Sequence, residues 1–371
     1  MQGGQFSADA DLAPLLAAIA PLVDLHGLAA AGTVQIRGQA DGSAGAVAGQ
    51  AQVTVKGLAL QGPDGLDVSV PGLTVDATAS ADERAIRLEH LVTRWEPLRA
   101  MTHAIPNGEL AASATWTPAD RVLDVPHWTL ACPLAGGEGR LKATLGAAGA
   151  AEGAGIERLE AQAQLSGQVE PMREFLAALK PELQSARGEG QWDLTLTADV
   201  AGDRITAQPQ LTLRGVGLKG YVVGGQELPL EKADVDFGAH IDFDRGAGSV
   251  KAEGLQLRAP GVELTASGQA TNVLGDPTAA TGALDCTWSL QPDVVTARLG
   301  ALLGGLGLAG APLSGSMRVE LAPAGASAAG NLSGAEIAVT LPADAATGKP
   351  ARTLVQRELK ADFDLTASPW P

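Results

Sequence analysis

Aromatic side chains are scarce in this chain: 5 Phe, 6 Trp and 1 Tyr stand among 371 residues. A dry interior is normally built from large interlocking side chains. An ordinary close-packed core is therefore not the first expectation. The 47 glycines and an abundance of alanine suit a shallow apolar surface instead, although a GC-rich genome explains the same bias equally well. Positive charge is also short, with 26 Lys and Arg against 42 Asp and Glu and a net charge of −16. Nucleic acid is thereby excluded as a partner, as is docking on anionic headgroups through a basic patch. Solubility is the simpler reason for the acidity.

Only two cysteines occur, Cys132 and Cys286, and nothing in their placement suggests a staple. The longest apolar run, from Ala301 to Leu313, is too short and too rich in Gly for the ~20 residues of a membrane span. MQGGQFSADA, the opening stretch, has neither the basic start nor the apolar run of a secretory signal. Chemistry-bearing motifs are missing too. The histidines, His26, His90, His103, His127 and His240, show no metal-binding spacing, and no G-x-S-x-G, Walker loop or C-x-x-C occurs. GLGLAG at Gly305 follows a helical stretch where a dinucleotide site needs a strand, and is expected to be a helix-ending breaker. No catalytic residue, cofactor or resident metal is expected.

What the chain does have is a long internal repeat. Amphipathic helices are expected at about 11–27, 171–185 and 293–303, each leading into a strand that opens with Gly: GTVQIRG at Gly32, GQWDLTLTADV at Gly190 and GSMRVELAP at Gly315. The likeness continues onward. QVTVKGLAL from Gln52 matches QLTLRGVGL from Gln210, IRLEHLVTR from Ile86 matches VKAEGLQLR from Val250, and GELAASATW from Gly108 matches GVELTASGQ from Gly261. Three copies follow: 1–168, 169–291 and a truncated third over 292–371. The first holds an insertion at 115–146 that fits one or two extra strands. A third copy that breaks off suggests a piece of a longer protein.

The strands follow a period of two. In ADVDFGAHIDFD, Val235, Phe237, Ile241 and Phe243 fall on one face while Asp234, Asp236, His240, Asp242 and Asp244 fall on the other. That second set has the spacing to gather a hard cation, but solvated outer-face charge is the plainer reading. At ~3.3 Å per residue an eleven-residue strand spans roughly 35 Å, whereas ~15 residues of helix cover only ~22 Å. One helix per copy cannot roof such a face. It must meet a second sheet, curl on itself, or stay open as a groove for an apolar ligand. The helical stripe Met172, Phe175, Leu176 and Leu179, between Pro171 and Pro181, could cap the groove, but plain packing over a sheet edge is the favoured reading.

These elements resemble a known group. Helix, Gly-initiated strand, and alternating strands punctuated by VKGLAL, LRGVGL and AEGLQLRAPGVELTASGQA look like the AsmA-like proteins, the bacterial envelope branch of the repeating β-groove lipid-transfer superfamily. The resemblance implies a mainly β fold with a few helices: a long curved antiparallel sheet forming an open groove, or half-tube, built from large internal repeats with one amphipathic helix each. It also implies a function, a conduit shielding phospholipid acyl chains between membranes. The groove would be lined by Val53, Val55, Leu194, Leu196, Leu211, Leu213, Val235, Phe237, Ile241, Phe243, Leu255 and Leu257. A periplasmic place in the envelope is implied, with an inner-membrane anchor in a segment absent from this chain, since members generally carry an N-terminal membrane helix. The alternative is a non-enzymatic structural or adhesive β-repeat protein with closed sandwich cores around the same residues.

Overall fold

Alternation of apolar and polar residues runs through most of the chain, and in the computed structural model it becomes 77% strand and 7% helix. The structure describes residues 2–14, 29–43, 45–62, 67–100, 103–146, 156–177, 183–220, 222–223, 226–227, 230–274, 279–299, 306–323, 325–342 and 350–367. The chain divides into two compact units, Met1–Gly167 with Glu174–Leu179, and Gln168–Arg173 with Lys180–Pro371. Pairing is antiparallel throughout, and the sheet is not closed into a barrel.

The first unit contains β1 (Gln2–Asp11), β2 (Ala29–Ser43), β3 (Ala46–Gln61), β4 (Asp67–Asp82), β5 (Ile86–Trp95), β6 (Leu98–Ala100), β7 (His103–Ile105), β8 (Gly108–Thr117), β9 (Val122–Ala131), β10 (Gly136–Leu145) and β11 (Ile156–Gln168). Neighbours in sequence pair in turn from β1 to β5, then β5 pairs with β8 and the meander continues to β11. Helix α1 (Val169–Ala177) follows.

The second unit contains β12 (Arg187–Ala201), β13 (Arg204–Lys219), β14 (Val222–Val223), β15 (Gln226–Glu227), β16 (Leu230–Asp244), β17 (Ser249–Ala259), β18 (Val262–Thr271) and β19 (Thr281–Leu290). Helix α2 (Pro292–Leu299) leads to β20 (Gly307–Gly310), β21 (Leu313–Ala322), β22 (Gly325–Gly334), β23 (Ile337–Leu341), β24 (Arg352–Gln356) and β25 (Leu359–Ala367). Its main ladder runs β12, β13, β16, β17, β18, β19, β21, β22, β25, while β20, β23 and β24 form a separate small sheet.

The repeat is visible in backbone geometry. The register of β2 on β3 shifts at Ala31/Thr33 around Gly32 (φ 123), and that of β12 on β13 shifts at Glu189/Gln191 around Gly190 (φ 106). Each faces a second left-handed glycine, Gly57 (φ 60) or Gly215 (φ 58). A Cβ on Gly32 would stand 2.8 Å from the Gly57 carbonyl oxygen, and one on Gly190 2.7 Å from that of Gly215. These are bulges that only glycine fits. In the third copy the matching residue is Gly310 (φ 122), whose Cβ would strike the Glu336 carbonyl. Gly315, singled out by sequence, lies inside β21 in ordinary strand conformation. At this level the third copy parts altogether, so β20 and β21 together occupy the place of β2. Gly190→Ala is expected to cost about 1–3 kcal/mol through backbone strain, seen as a lower urea midpoint at unchanged slope.

Other expectations meet the structure as follows. The insertion at 115–146 holds two strands, β9 and β10. Asp11 ends β1 rather than opening a helix, because Ala8 and Ala10 continue an alternation that pairs with Ile36 and Val34. Leu12–Pro14 are helical, and 15–27 lie outside the described residues. Helix α1 is described to Ala177, so Leu179 and Pro181 lie outside, while 183–185 are no longer α-helical. The part of the third helix from 300 to 303 also lies outside. Of GLGLAG, Gly307–Gly310 is strand, and Gly305 lies outside the described residues.

Deeply buried side chains are few among the described residues. Pro292 and Val295 in α2, Ile337 in β23, Ala186 before β12, and Val55 and Val70 beside the first bulge are all below a tenth exposed. Val92 in β5, Ala143 in β10, Ala266 in β18 and Cys286 in β19 are buried as deeply in mid-strand, so deep burial is not confined to the helix ends.

Candidate functional site

Register, more than any single residue, defines the candidate site. In the second unit one cross-strand row reads Leu194, Leu211, Phe237, Leu257, Leu264, Trp288, Gly315, Leu332, Ala361. A parallel row reads Ala198, Ala207, Ile241, Ala252, Gly268, Leu284, Val319, Ala328, Leu365. Neither contains a charged side chain, and the indole N–H of Trp288 is the one side-chain hydrogen-bonding group in the two rows. In the first unit the matching row is Ala8, Ile36, Val53, Val75, Thr93, Leu110, Leu130, Gly137, Leu165, with Thr93 its one polar member.

The sequence-derived groove residues fall on these faces. Leu194, Leu196, Leu211, Leu213, Val235, Phe237, Ile241, Phe243, Leu255 and Leu257 share the apolar face of the second unit, and Val53 and Val55 lie on that of the first. A bulge at Gly254 (φ 59) keeps Ala252, Leu255 and Leu257 on one side despite their uneven spacing. Val55 is buried and the other eleven are half-buried. Such exposure suits a single layer whose apolar side has no second sheet over it.

The opposite face is a hydrogen-bonded polar network. Gln52 donates to Asp76 at 2.7 Å, Arg94 bridges Asp76 at 3.0 Å and Glu109 at 2.6 Å, and Arg318 spans Asp285 and Glu320. A crevice of about 680 Å³ is lined mainly by Gln5, Ser7, Arg37, Gln39, Gln50, Gln52, Asp76, Thr78 and His90 of that face, with Phe6, Gly38, Ala51 and Ala77 also bordering it. The acidic side of β16 is spoken for by its neighbours. Asp236 accepts from Thr212, Asp234 from the Gly215 backbone N–H, and Asp244 from the Ala247 N–H. Asp242 accepts from Thr206 at 2.7 Å, with Arg204 at 3.3 Å and His240 at 3.4 Å. The Thr206 hydrogen bond holds its carboxyl below the usual range. Among the described residues no group of three or more His, Cys, Asp or Glu is placed to hold a metal. Cys132 and Cys286 are both free thiols; Cys286 sits on the apolar face between Ala266 and Met317, and burial pushes its pKa up.

Two features escaped the sequence. Each described helix is tied to the strand it feeds, two residues before the bulge glycine. In α1, Arg173 donates to Glu170 at 2.8 and 3.1 Å and to the Leu183 carbonyl at 2.9 Å, while Glu170 accepts from the Gly188 N–H. In α2 the hydroxyl of Thr296 donates to the Leu308 carbonyl at 2.8 Å and accepts from its N–H at 2.7 Å. The second feature is that every described tryptophan, Trp95, Trp116, Trp128, Trp192 and Trp288, lies on the apolar face. Their odd and even positions along each strand were the available signal.

Comparison of the chain with protein-family models, with curated proteins and with solved structures gives no match.

Proposed function

We propose that this chain is a lipid-carrying segment that shields phospholipid acyl chains from water along the apolar face of its sheet. The carrying observation is the charge-free, unroofed rows that cross nine strands of the second unit, from Leu194 to Ala361 and from Ala198 to Leu365. Ordinary monomers expose apolar patches of only a few hundred Å². Moving a phospholipid through water exposes acyl chains at ~0.8 kcal/mol per CH2, and a charge-free face lowers that cost along the path. The headgroup stays in solvent and needs no dedicated ligand. On this reading no bond is made or broken and no cofactor takes part.

The resemblance to AsmA-like proteins supports the same reading and extends it to a bacterial envelope setting, with periplasmic exposure, membranes engaged through flanking segments and an inner-membrane anchor outside this chain. A closed sandwich as the alternative is less well supported, because the described apolar side chains remain half-exposed rather than packed under a second layer. Lipid extraction of the purified protein followed by mass spectrometry tests the proposal. Phospholipid is expected at a stoichiometry of at least one per chain; protein that carries none, and takes none up from vesicles, would overturn it.

A further inference from the structure

Five aromatic side chains share one arrangement on the apolar face. Phe6 faces Gly38, Trp95 faces Gly108, Trp128 faces Gly139, Trp288 faces Gly315 and Phe363 faces Gly330, each on the adjacent strand. A Cβ on the glycine would collide with the ring in every case. The Trp128 ring would be 2.5 Å away and the Trp288 and Phe363 rings 2.7 Å away, with Phe6 and Trp95 nearer still. Each ring therefore lies down across its neighbour and covers the bare glycine backbone.

A ring laid flat differs from one standing up in what it can meet. Two packed sheets are ~10 Å apart, and their upright side chains interdigitate to fill the space. Flat rings over glycines, set beside the Leu, Val and Ile of the same face, make an uneven surface that would leave a rigid second sheet, including a second copy of this chain, with voids that interiors do not tolerate. A chain of methylenes bends to such a surface. Rings of this kind bury 150–250 Å² each, so they offer the largest single contact areas on a face otherwise made mainly of Leu, Val, Ile, Ala and Gly.

We infer that these five rings are the resting points of the acyl chains, with the opposed glycines setting how deep each chain lies. This rests on the lipid-carrying reading above. Trp116 and Trp192 share the face but oppose Ile86, Leu123 and Leu213 instead of glycine, and they supply an internal control.

The test uses full-length protein with a single tryptophan retained at 95, 128, 288, 116 or 192 and the others replaced by Phe. Each protein is loaded from vesicles of phosphatidylcholine brominated midway along one acyl chain, and bound lipid is measured separately by phosphate assay. Fluorescence of Trp95, Trp128 and Trp288 is expected to be quenched at least twofold more than that of Trp116 and Trp192. Gly108→Ala adds a second reading, because the three atoms nearest that Cβ belong to the Trp95 and Cys132 side chains. It is expected to tilt Trp95 and lower its quenching about twofold while the circular dichroism is unchanged. Bound lipid with equal quenching at all five positions would overturn the ring assignment alone. If no protein of the series binds lipid, or if the chains pair face to face without it, the lipid-carrying reading falls and the inference with it.

Discussion

Phe237→Asp combined with Ile241→Asp is expected to abolish lipid carriage and leave a folded sheet. Phe237 lies between Leu211 and Leu257, and Ile241 between Ala207 and Ala252, so the two carboxylates would enter two rows of the apolar face, on either side of the row through Leu255. An acyl chain crossing β16 would have to desolvate them, which costs several kcal/mol per charge. Bound phospholipid is expected to fall more than tenfold, the equivalent of about 1.4 kcal/mol or more. Folding should survive because both positions are only half-buried. The new carboxylates remain hydrated when no lipid is present, and lost strand propensity costs about 1 kcal/mol. Lipid content is read by extraction and the fold by circular dichroism. Unchanged lipid content in a folded variant would mean that the working face is misassigned.

The second large effect concerns stability. Arg173→Ala is expected to destabilise the second unit by about 2–3 kcal/mol, less than the 3–5 of a fully buried pair, because the Glu170 side chain is 37% exposed while that of Arg173 is 11% exposed. The loss strips Glu170 of its partner and leaves the Leu183 carbonyl without its donor. Thr296→Val removes the equivalent tie in α2 and should cost about 1–2 kcal/mol. Chemical denaturation measures both. Acid should reproduce the first effect in part. The hydrogen bond from Arg173 holds the Glu170 carboxyl below its ordinary value, so its contribution is complete above the unfolded pKa of ~4.3 and fades as pH falls through the folded one. Arg173→Ala should therefore flatten the acid limb of the stability profile.

Much of the sheet was legible because a period of two is hard to disguise. Val235, Phe237, Ile241 and Phe243 declared one face of β16, and the structure puts them there. What sequence could not supply was register. Gly310 and Gly315 are equally good candidates for a Gly-initiated strand until pairing shows which one meets a carbonyl head-on. The rings over glycines were hidden for the same reason, since Trp288 and Gly315 become neighbours only through the β19–β21 ladder. The helix ties were invisible for another. Arg173 and Thr296 occupy matching places yet share no chemistry, one working through a guanidinium and the other through a hydroxyl. β1 escaped notice because its apolar positions are mostly Gly and Ala, which carry little hydrophobic signal.

The β9–β10 hairpin separates the first copy from the second, and its flanks, β8 and β11, correspond to strands that are direct neighbours, β18 and β19, in the second copy. In a sandwich, adding a hairpin means recomposing the facing layer. A single layer has no facing layer to recompose, so strands enter or leave in pairs at little cost, each pair widening the sheet by about 10 Å. Such a protein can be graded in length by duplication and deletion of hairpins, without redesigning any core.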